Sequence, residues 1–510
     1  MLLDRKIKNL EELALMIQGL KKDGRTIVHC HGVFDLIHPG HVRHFHAAKS
    51  LGDILVVTIT PDKYVNKGPG RPVFTEGLRA ESIAALESVD YVAVNLWPDA
   101  VLTIKTLKPN IYVKGKDYAD AGKDETGGII LEQEAAASVG CEVRFTDEIS
   151  FSSSSLLNAY FDIYPENVQV FLREFRKRYS ADYVIEAIKG LKNLRVLVIG
   201  ETILDKYSFV RPIGKPPKGN HIAVELINEE THTGGILACA NHLANFCGEI
   251  DLITAIGNDG KEEFIRSHLK SNVVPHLFYY DKAPTITKRR FVDDAFMSKL
   301  FEVYEIDSRP SLKIEKEIFN LLAIFFESRK YDLVLVIDYG HGLLTHNLIV
   351  YICSRKGFLA VNAQTNTANM GYNPITRYPT ANYFCLDEPE LRLAFHNKYD
   401  EVTSLMEQLA RRVPLPGVIA VTRGHLGAIT YDIENGSFFE VPVLSHKIVD
   451  TTGAGDAFLA LTAPCVAKGL PVELVAFIGN VAGALAVGVL GNRSSIEAEP
   501  LYKFITALLK

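Results

Sequence analysis

Two successive series of short apolar runs, each run followed by a helical pattern, constrain this chain more than any other feature. In the first series, strands are expected at 26–30, 54–59, 91–94, 111–113 and 142–145, with helical patterns such as Leu78–Glu87 and Gly128–Ser138 between them. A helix is expected from Asn9, which can cap it, with Glu12 at the capping-box position and Gly24 as the stop. Strands that alternate with helices cannot pair as hairpins and form parallel sheets covered by helices on both faces. The run Leu194–Gly200 opens a second series, with strands expected near 251–255, 333–337, 358–361, 383–385 and 418–422. Charged helical stretches lie between the two series. The expected organisation is therefore an α/β domain over 1–160, a helical connector over 161–190 and a larger α/β domain over 191–510. A chain of 510 residues also exceeds what one hydrophobic core usually organises.

With 47% hydrophobic and 23% charged residues, the composition excludes a largely disordered protein. A net charge of −6 gives no reason to expect nucleic acid as a partner. The seven cysteines are dispersed and form no CxxC pair, which fits a reducing cytoplasm better than a disulfide framework. The N-terminal residues mix charged and apolar positions, unlike a secretory signal. The most membrane-like stretch, Val481–Leu490, is too short and too glycine-rich to span a bilayer, so no membrane is expected as a partner.

Within the first series, the segment His31-Gly32-Val33-Phe34-Asp35-Leu36-Ile37-His38-Pro39-Gly40-His41 ends a strand, turns at a glycine and restarts as a helix at Pro39. His38 and His41 then stand at a helix N-terminus, where backbone N–H groups and the helix dipole attract phosphate. Two imidazoles placed there suit in-line displacement of pyrophosphate from an α-phosphate. His29, His31, His44 and His46 lie nearby without cysteine or glutamate partners at zinc spacing, and read as structural or solvated. The serines Ser152, Ser153 and Ser154 precede an apolar helical start, and such a turn either links flexibly or cradles phosphate.

This GxFDxxHxGH segment resembles the nucleotidyltransferase family that includes glycerol-phosphate cytidylyltransferase and the adenylyltransferase of ADP-heptose synthesis. The resemblance runs over roughly residues 8–158 and implies a Rossmann-like domain. It implies catalytic roles for His38 and His41, and nucleotide or phosphate contacts from Gly32, Phe34, Lys49, Arg79, Ser152, Ser153 and Ser154. Lys108–Tyr118 is closest to the heptose branch and implies substrate contacts from Lys114 and Asp117. Lys116 stands where that branch has a second glycine, which leaves the sugar open.

In the second series, Asp450-Thr451-Thr452-Gly453-Ala454-Gly455-Asp456-Ala457-Phe458 carries an extended segment into a glycine turn and then an apolar helix. The N–H groups of Gly453, Ala454 and Gly455 converge as an anion hole for a transferring phosphoryl group. Asp456 is suited to take the proton of an attacking hydroxyl. This string resembles that of ribokinase-like sugar kinases, with a likeness extending over roughly 180–510. The resemblance implies nucleotide contacts from Thr422, Gly424, Gly427, Thr452 and Asn480, sugar contacts from Asp205, Gly234 and Gly235, and magnesium held through water by Asp387 and Glu390. Four positions depart from the pattern: Ala238 replaces a sugar-binding asparagine, Glu201 and Asn362 each replace an aspartate, and Asp387 replaces an asparagine. The change at Ala238 removes a hydrogen bond worth about 1 kcal/mol.

Joined in one chain, the two resemblances imply ATP-dependent phosphorylation of a heptose-like sugar or sugar phosphate, together with nucleotidyl transfer from ATP or CTP to a sugar 1-phosphate. The content is similar to the bifunctional heptose kinase/adenylyltransferase family, with the domains in reversed order. Magnesium, sugars and nucleoside triphosphates are the implied partners, and a homodimer is a family-level expectation. The alternative is a nucleotidyltransferase whose kinase-like domain only binds sugar or serves assembly.

Overall fold

The computed structural model describes residues 3–118, 128–146, 164–412, 417–445 and 448–510. Its chain divides into two units, one comprising Met1–Arg176 with Glu499–Lys510 and the other Lys177–Ala498.

The first unit is built on β1 (Ile27–Gly32), β2 (Ile54–Ile59), β3 (Tyr91–Val94), β4 (Ile111–Gly115) and β5 (Glu142–Thr146). All four pairings are parallel, in the order β3-β2-β1-β4-β5. Alternate residues serve opposite faces, as the period of a strand requires. Val28, Cys30, Leu55 and Val57 pack with Phe45 and Ile83, whereas Ile27, Val56 and Ala93 pack with Leu13 and Ile17. Leu10–Lys22 begins where its cap was expected, with the Asn9 side chain accepting from Glu12 N at 2.7 Å. The strand order reverses between β1 and β4, so a crevice opens beyond their carboxyl ends.

The second unit has a nine-stranded sheet in the order β10-β9-β6-β13-β14-β15-β16-β17-β18. Its strands are β6 (Arg195–Gly200), β9 (Glu249–Gly257), β10 (Val273–Tyr280), β13 (Leu333–Asp338), β14 (Leu359–Ala363), β15 (Tyr383–Asp387), β16 (Val418–Thr422), β17 (Ala428–Asp432) and β18 (Ser437–Val441). Pairing is parallel from β10 to β16, and β17 and β18 close one edge antiparallel. One face buries Leu197, Ile253 and Val336 against Ile318, Leu322 and Leu348. A separate four-stranded sheet, β12-β11-β7-β8, contains β7 (Thr202–Gly214), β8 (Ala223–Gly235), β11 (Thr287–Asp293) and β12 (Lys299–Glu305).

Two features depart from the expected organisation. The division falls at Arg176 and Lys177, between the helices Glu166–Arg176 and Ala181–Lys189, so the supposed connector is shared by both units. The helix Ala498–Leu509, expected to finish the second domain, belongs from Glu499 onward to the first.

Candidate active sites

In the first unit, the helix Pro39–Lys49 starts beside the carboxyl end of β1, with His38 as an extended N-cap and Pro39 in its first turn. The His38 and His41 rings stack with centroids 3.9 Å apart. Phe34 adopts a positive φ of 50°, and its ring meets His41 edge-on at 5.2 Å and Phe45 at 5.0 Å. Gly32 is needed beneath it, because a Cβ there would lie 2.9 Å from Phe34 Cζ. Burial lowers the pKa of His38, and burial followed by the charges of His38, His44 and Lys67 brings His41 down to about 3. Near neutral pH both rings are therefore uncharged, and offer phosphate a polarised N–H at a helix N-terminus.

Lys114 stands at the carboxyl end of β4, across the crevice from β1, and pairs with Glu132 at 3.0 Å. Its charge reaches the buried histidines, reinforcing burial in holding His29 at about 3 and His44 at about 4. His29 and His31 share the Thr58 hydroxyl at 2.8 and 2.9 Å, and His44 meets Thr146 Oγ1 at 2.7 Å. These three are interior groups, whereas His46 is exposed.

Two expected phosphate contacts sit elsewhere. Lys49 ends the helix that His38 begins, about 16 Å away at 1.5 Å per residue. There it binds Asp90 Oδ2 and the Asp53 carbonyl, both at 2.5 Å, at the opposite end of the sheet. Arg79 is enclosed: its guanidinium donates to the carbonyls of Phe74 and Thr60 at 3.0 and 2.9 Å, to Asp62 Oδ1 at 2.6 Å and to the Val33 carbonyl. Arg79 thus ties together the loops after β1 and β2. Ser152, Ser153 and Ser154 lie outside the described residues, as does the side chain of Asp117.

Sequence reasoning missed Asp35 and Lys67. Asp35 Oδ1 accepts from Val73 N and Phe74 N at 2.8 and 3.1 Å, and Arg71 Nη1 donates to Oδ2 at 3.4 Å. Burial brings Lys67 down to about 8, with Asp35 opposing and the cations Arg71, Lys510 and Lys503 adding to the effect. The signals were the Phe-Asp pair inside the motif and the Gly68-Pro69-Gly70 turn that follows the lysine.

In the second unit, Gly453 caps the helix Ala454–Ala467 with a φ of 85°, leaving Gly455 and Asp456 in its first turn. A Cβ on Gly453 would lie 2.1 Å from Asn492 Oδ1, and Asn492 Nδ2 donates to Asp205 Oδ2 at 3.2 Å. Asp450 fixes the turn from below by accepting from Tyr207 Oη, Lys299 Nζ, Thr452 N and Gly491 N at 2.9–3.1 Å. Asp456 accepts from Tyr339 Oη at 2.9 Å, and burial raises its carboxyl to about 7 against that hydrogen bond. Glu201 reaches both Tyr339 N and His341 N, at 2.9 and 3.0 Å, which gives its extra methylene a use in orienting Tyr339.

Asp205 forms a buried 2.5 Å pair with Arg290, and a Cβ on Gly234 would lie 2.2 Å from its Oδ2. Gly235, at φ 55°, opens the helix that buries Ala238. Lys288 on β11 senses both Asp205 and Asp456. Lys288, Arg290 and Tyr339 were given no site role from sequence; the pairing of β11 with β7 brings the two cations to Asp205.

Thr422 ends β16, and Arg423 N donates to the Gly427 carbonyl at 2.8 Å to close the turn that contains exposed Gly424. Gly427 is obligatory, since a Cβ would lie 2.0 Å from the Val441 carbonyl. Asn480 lies on the helix Val472–Ala486, which packs against β17 and β18. Asp387 and Glu390 form a reciprocal capping box, and Glu390 also accepts from Thr365 N at 3.0 Å. Among the described residues no group of three or more metal-ligating side chains converges.

The pfkB family carbohydrate kinase model matches residues 193–499, more than half of the sequence. The chain belongs to that family. A cytidylyltransferase-like model matches residues 29–187 of the same pfkB-family chain. A relative described as bifunctional protein HldE from Geobacter metallireducens is 45% identical over 121 residues, 23% of this chain and 25% of the relative. Another HldE, from Nitratiruptor sp., is 38% identical over 153 residues, 30% of this chain and 31% of the relative. The chain thus spans between a quarter and a third of the length of these curated relatives. Escherichia coli phosphofructokinase-2, in complex with substrates and products, superposes with a TM-score of 0.50 at 15% identity, covering 62% of this chain and all of the other. That likeness gives the second unit a ribokinase-like fold.

Proposed function

We propose that this pfkB-family chain is a bifunctional enzyme of nucleotide-sugar synthesis. Its second unit phosphorylates a heptose-like sugar or sugar phosphate with ATP. Its first unit transfers a nucleotidyl group from ATP or CTP to a sugar 1-phosphate and releases pyrophosphate. The observation that supports the reading is a separate helix N-terminus in each unit, one beside the stacked pair His38 and His41 and one beside the buried Asp456.

In the kinase reaction, Asp456 takes the proton of the sugar hydroxyl as its oxygen attacks the γ-phosphorus, and ADP leaves. The N–H groups of Gly453, Ala454 and Gly455 face the developing charge. Asp205, Gly234 and Gly235 line the sugar side, and Thr422, Gly424, Gly427, Thr452 and Asn480 the nucleotide side. Magnesium would supply charge neutralisation on the triphosphate. Asp387 and Glu390 fit it through water, because burial raises both carboxyls and a cation would offset that cost. In nucleotidyl transfer, a sugar-phosphate oxygen attacks the α-phosphorus in line. His38 and His41 stabilise the charge, Gly32 and Phe34 shape the turn, and Lys114, Asp117 and the serines at 152–154 bind substrate.

A homodimer through the four-stranded sheet accounts for the exposure of Ile213, Leu226, Phe301 and Val303. A reducing cytoplasm suits seven unpaired thiols, and none of the described helices is long and apolar enough to cross a membrane. The test is incubation with ATP or CTP, magnesium and a panel of sugars and sugar 1-phosphates, assaying ADP and pyrophosphate separately. Both products, each with its own acceptor, are expected. Pyrophosphate alone across a broad panel would reduce the second unit to a binding module.

A further inference from the structure

We propose that the helix Ala498–Leu509 is a working part of the nucleotidyl-transfer site, with Phe504 as a positioning residue that seats the Gly68 turn and so aims Lys67 at His41. The proposal rests on the reading of that site given above.

Leu501, Phe504, Ile505 and Leu508 are all buried, and their spacing forms one apolar stripe of a helix. The far end of the helix is fastened by Arg176, whose Nε and Nη2 donate to the Leu508 carbonyl at 3.1 and 2.5 Å. At its centre the Phe504 ring occupies the space a side chain at position 68 would need, since a Cβ on Gly68 would lie 1.9 Å from Phe504 Cδ2. Gly68 is at φ 92°, a backbone state that only glycine adopts easily, so ring and turn are matched on both counts.

The turn bears directly on the chemistry. Lys67 precedes Gly68, and its charge acts on His41. Arg71, whose N–H donates to the Gly68 carbonyl at 3.3 Å, reaches Asp35 of the histidine-bearing loop. Lys503 and Lys510 add positive charge around Lys67. Helix packing alone gains nothing from assembling cations beside a half-buried lysine. A polyanion such as a triphosphate would make that arrangement favourable.

The experiment compares the full chain with F504A and F504L. It measures pyrophosphate release, ADP formation, tryptic cleavage after Lys67 by mass spectrometry, and unfolding by the fluorescence of Trp97, the single tryptophan and a residue of the first unit. F504A is expected to raise the KM for the triphosphate in pyrophosphate release by about tenfold or more, to speed cleavage after Lys67 and to leave ADP formation unchanged. F504L is expected to restore most of both effects. Unchanged KM and unchanged cleavage overturn the proposal. So does a fall in kcat at constant KM with earlier Trp97 unfolding, which marks the ring as a core filler only. If the unmodified chain releases no pyrophosphate from any triphosphate, the nucleotidyl-transfer reading itself fails. Cleavage after Lys67 then still decides whether the helix holds the turn.

Discussion

In the proposed kinase reaction Asp456 combines the two demands on a base, a place in the first turn after Gly453 and an affinity for protons close to working pH. With its carboxyl at about 7, ADP formation is expected to rise as pH increases through neutrality. Tyr339→Phe removes the hydrogen bond that lowers this value and should move the rising limb to higher pH, as a pH–rate profile would show. Asp456→Asn should cut ADP formation by about 10²–10⁴-fold and leave pyrophosphate release intact. Unchanged ADP formation would remove the assigned role. Arg79 makes a different demand: Arg79→Lys loses most of four hydrogen bonds in an enclosed site. It should destabilise the first unit by about 3 kcal/mol, read from denaturant unfolding by Trp97 fluorescence. The helix starts at Pro39 and Ala454 were legible because a strand, a glycine turn and a helix follow one another at fixed spacing in both motifs. Lys49 and Arg79 were not, because sequence proximity to a motif does not say which end of a helix a cation occupies.

At the scale of elements, most parallel strands were readable nearly to the residue, with 54–59, 91–94 and 418–422 matching β2, β3 and β16, whereas β10 was not expected. Buried parallel strands are short continuous apolar runs, and the charged helical patterns between them marked their ends. The four-stranded sheet escaped notice, since β12 and the middle of β8 are exposed and interleave charged with apolar residues. Its exposed apolar residues lead to a prediction: L226D combined with V303D should convert a dimer to monomer in light scattering and preserve pyrophosphate release. The first strand of the first unit and the helix that follows it also store a pH response. His29, His31, His41 and His44 all have pKa values held below the usual 6.5, first by burial. The unfolded chain therefore takes up protons that the fold refuses, and stability is lost as pH falls from about 6.5 towards 3. The Trp97 unfolding midpoint should drop steadily over that window.

Across the whole molecule, the two proposed reactions call on separate residues, so His41→Ala should abolish pyrophosphate release and spare ADP formation, the converse of Asp456→Asn. The two strand series were legible in the sequence, but the destination of the final helix was not. Its apolar stripe shows that it must dock, and says nothing about which surface receives it. That docking has a consequence in time. A ribosome delivers Met1–Arg176 well before Glu499–Lys510, and the intervening Lys177–Ala498 takes on the order of tens of seconds at about 5–20 residues per second. Throughout that interval the nascent first unit has its sheet but not the segment that seals its lysine turn. Translation that halts within the second unit would release a product without that seal, so assembly of the complete first unit is tied to synthesis of the second.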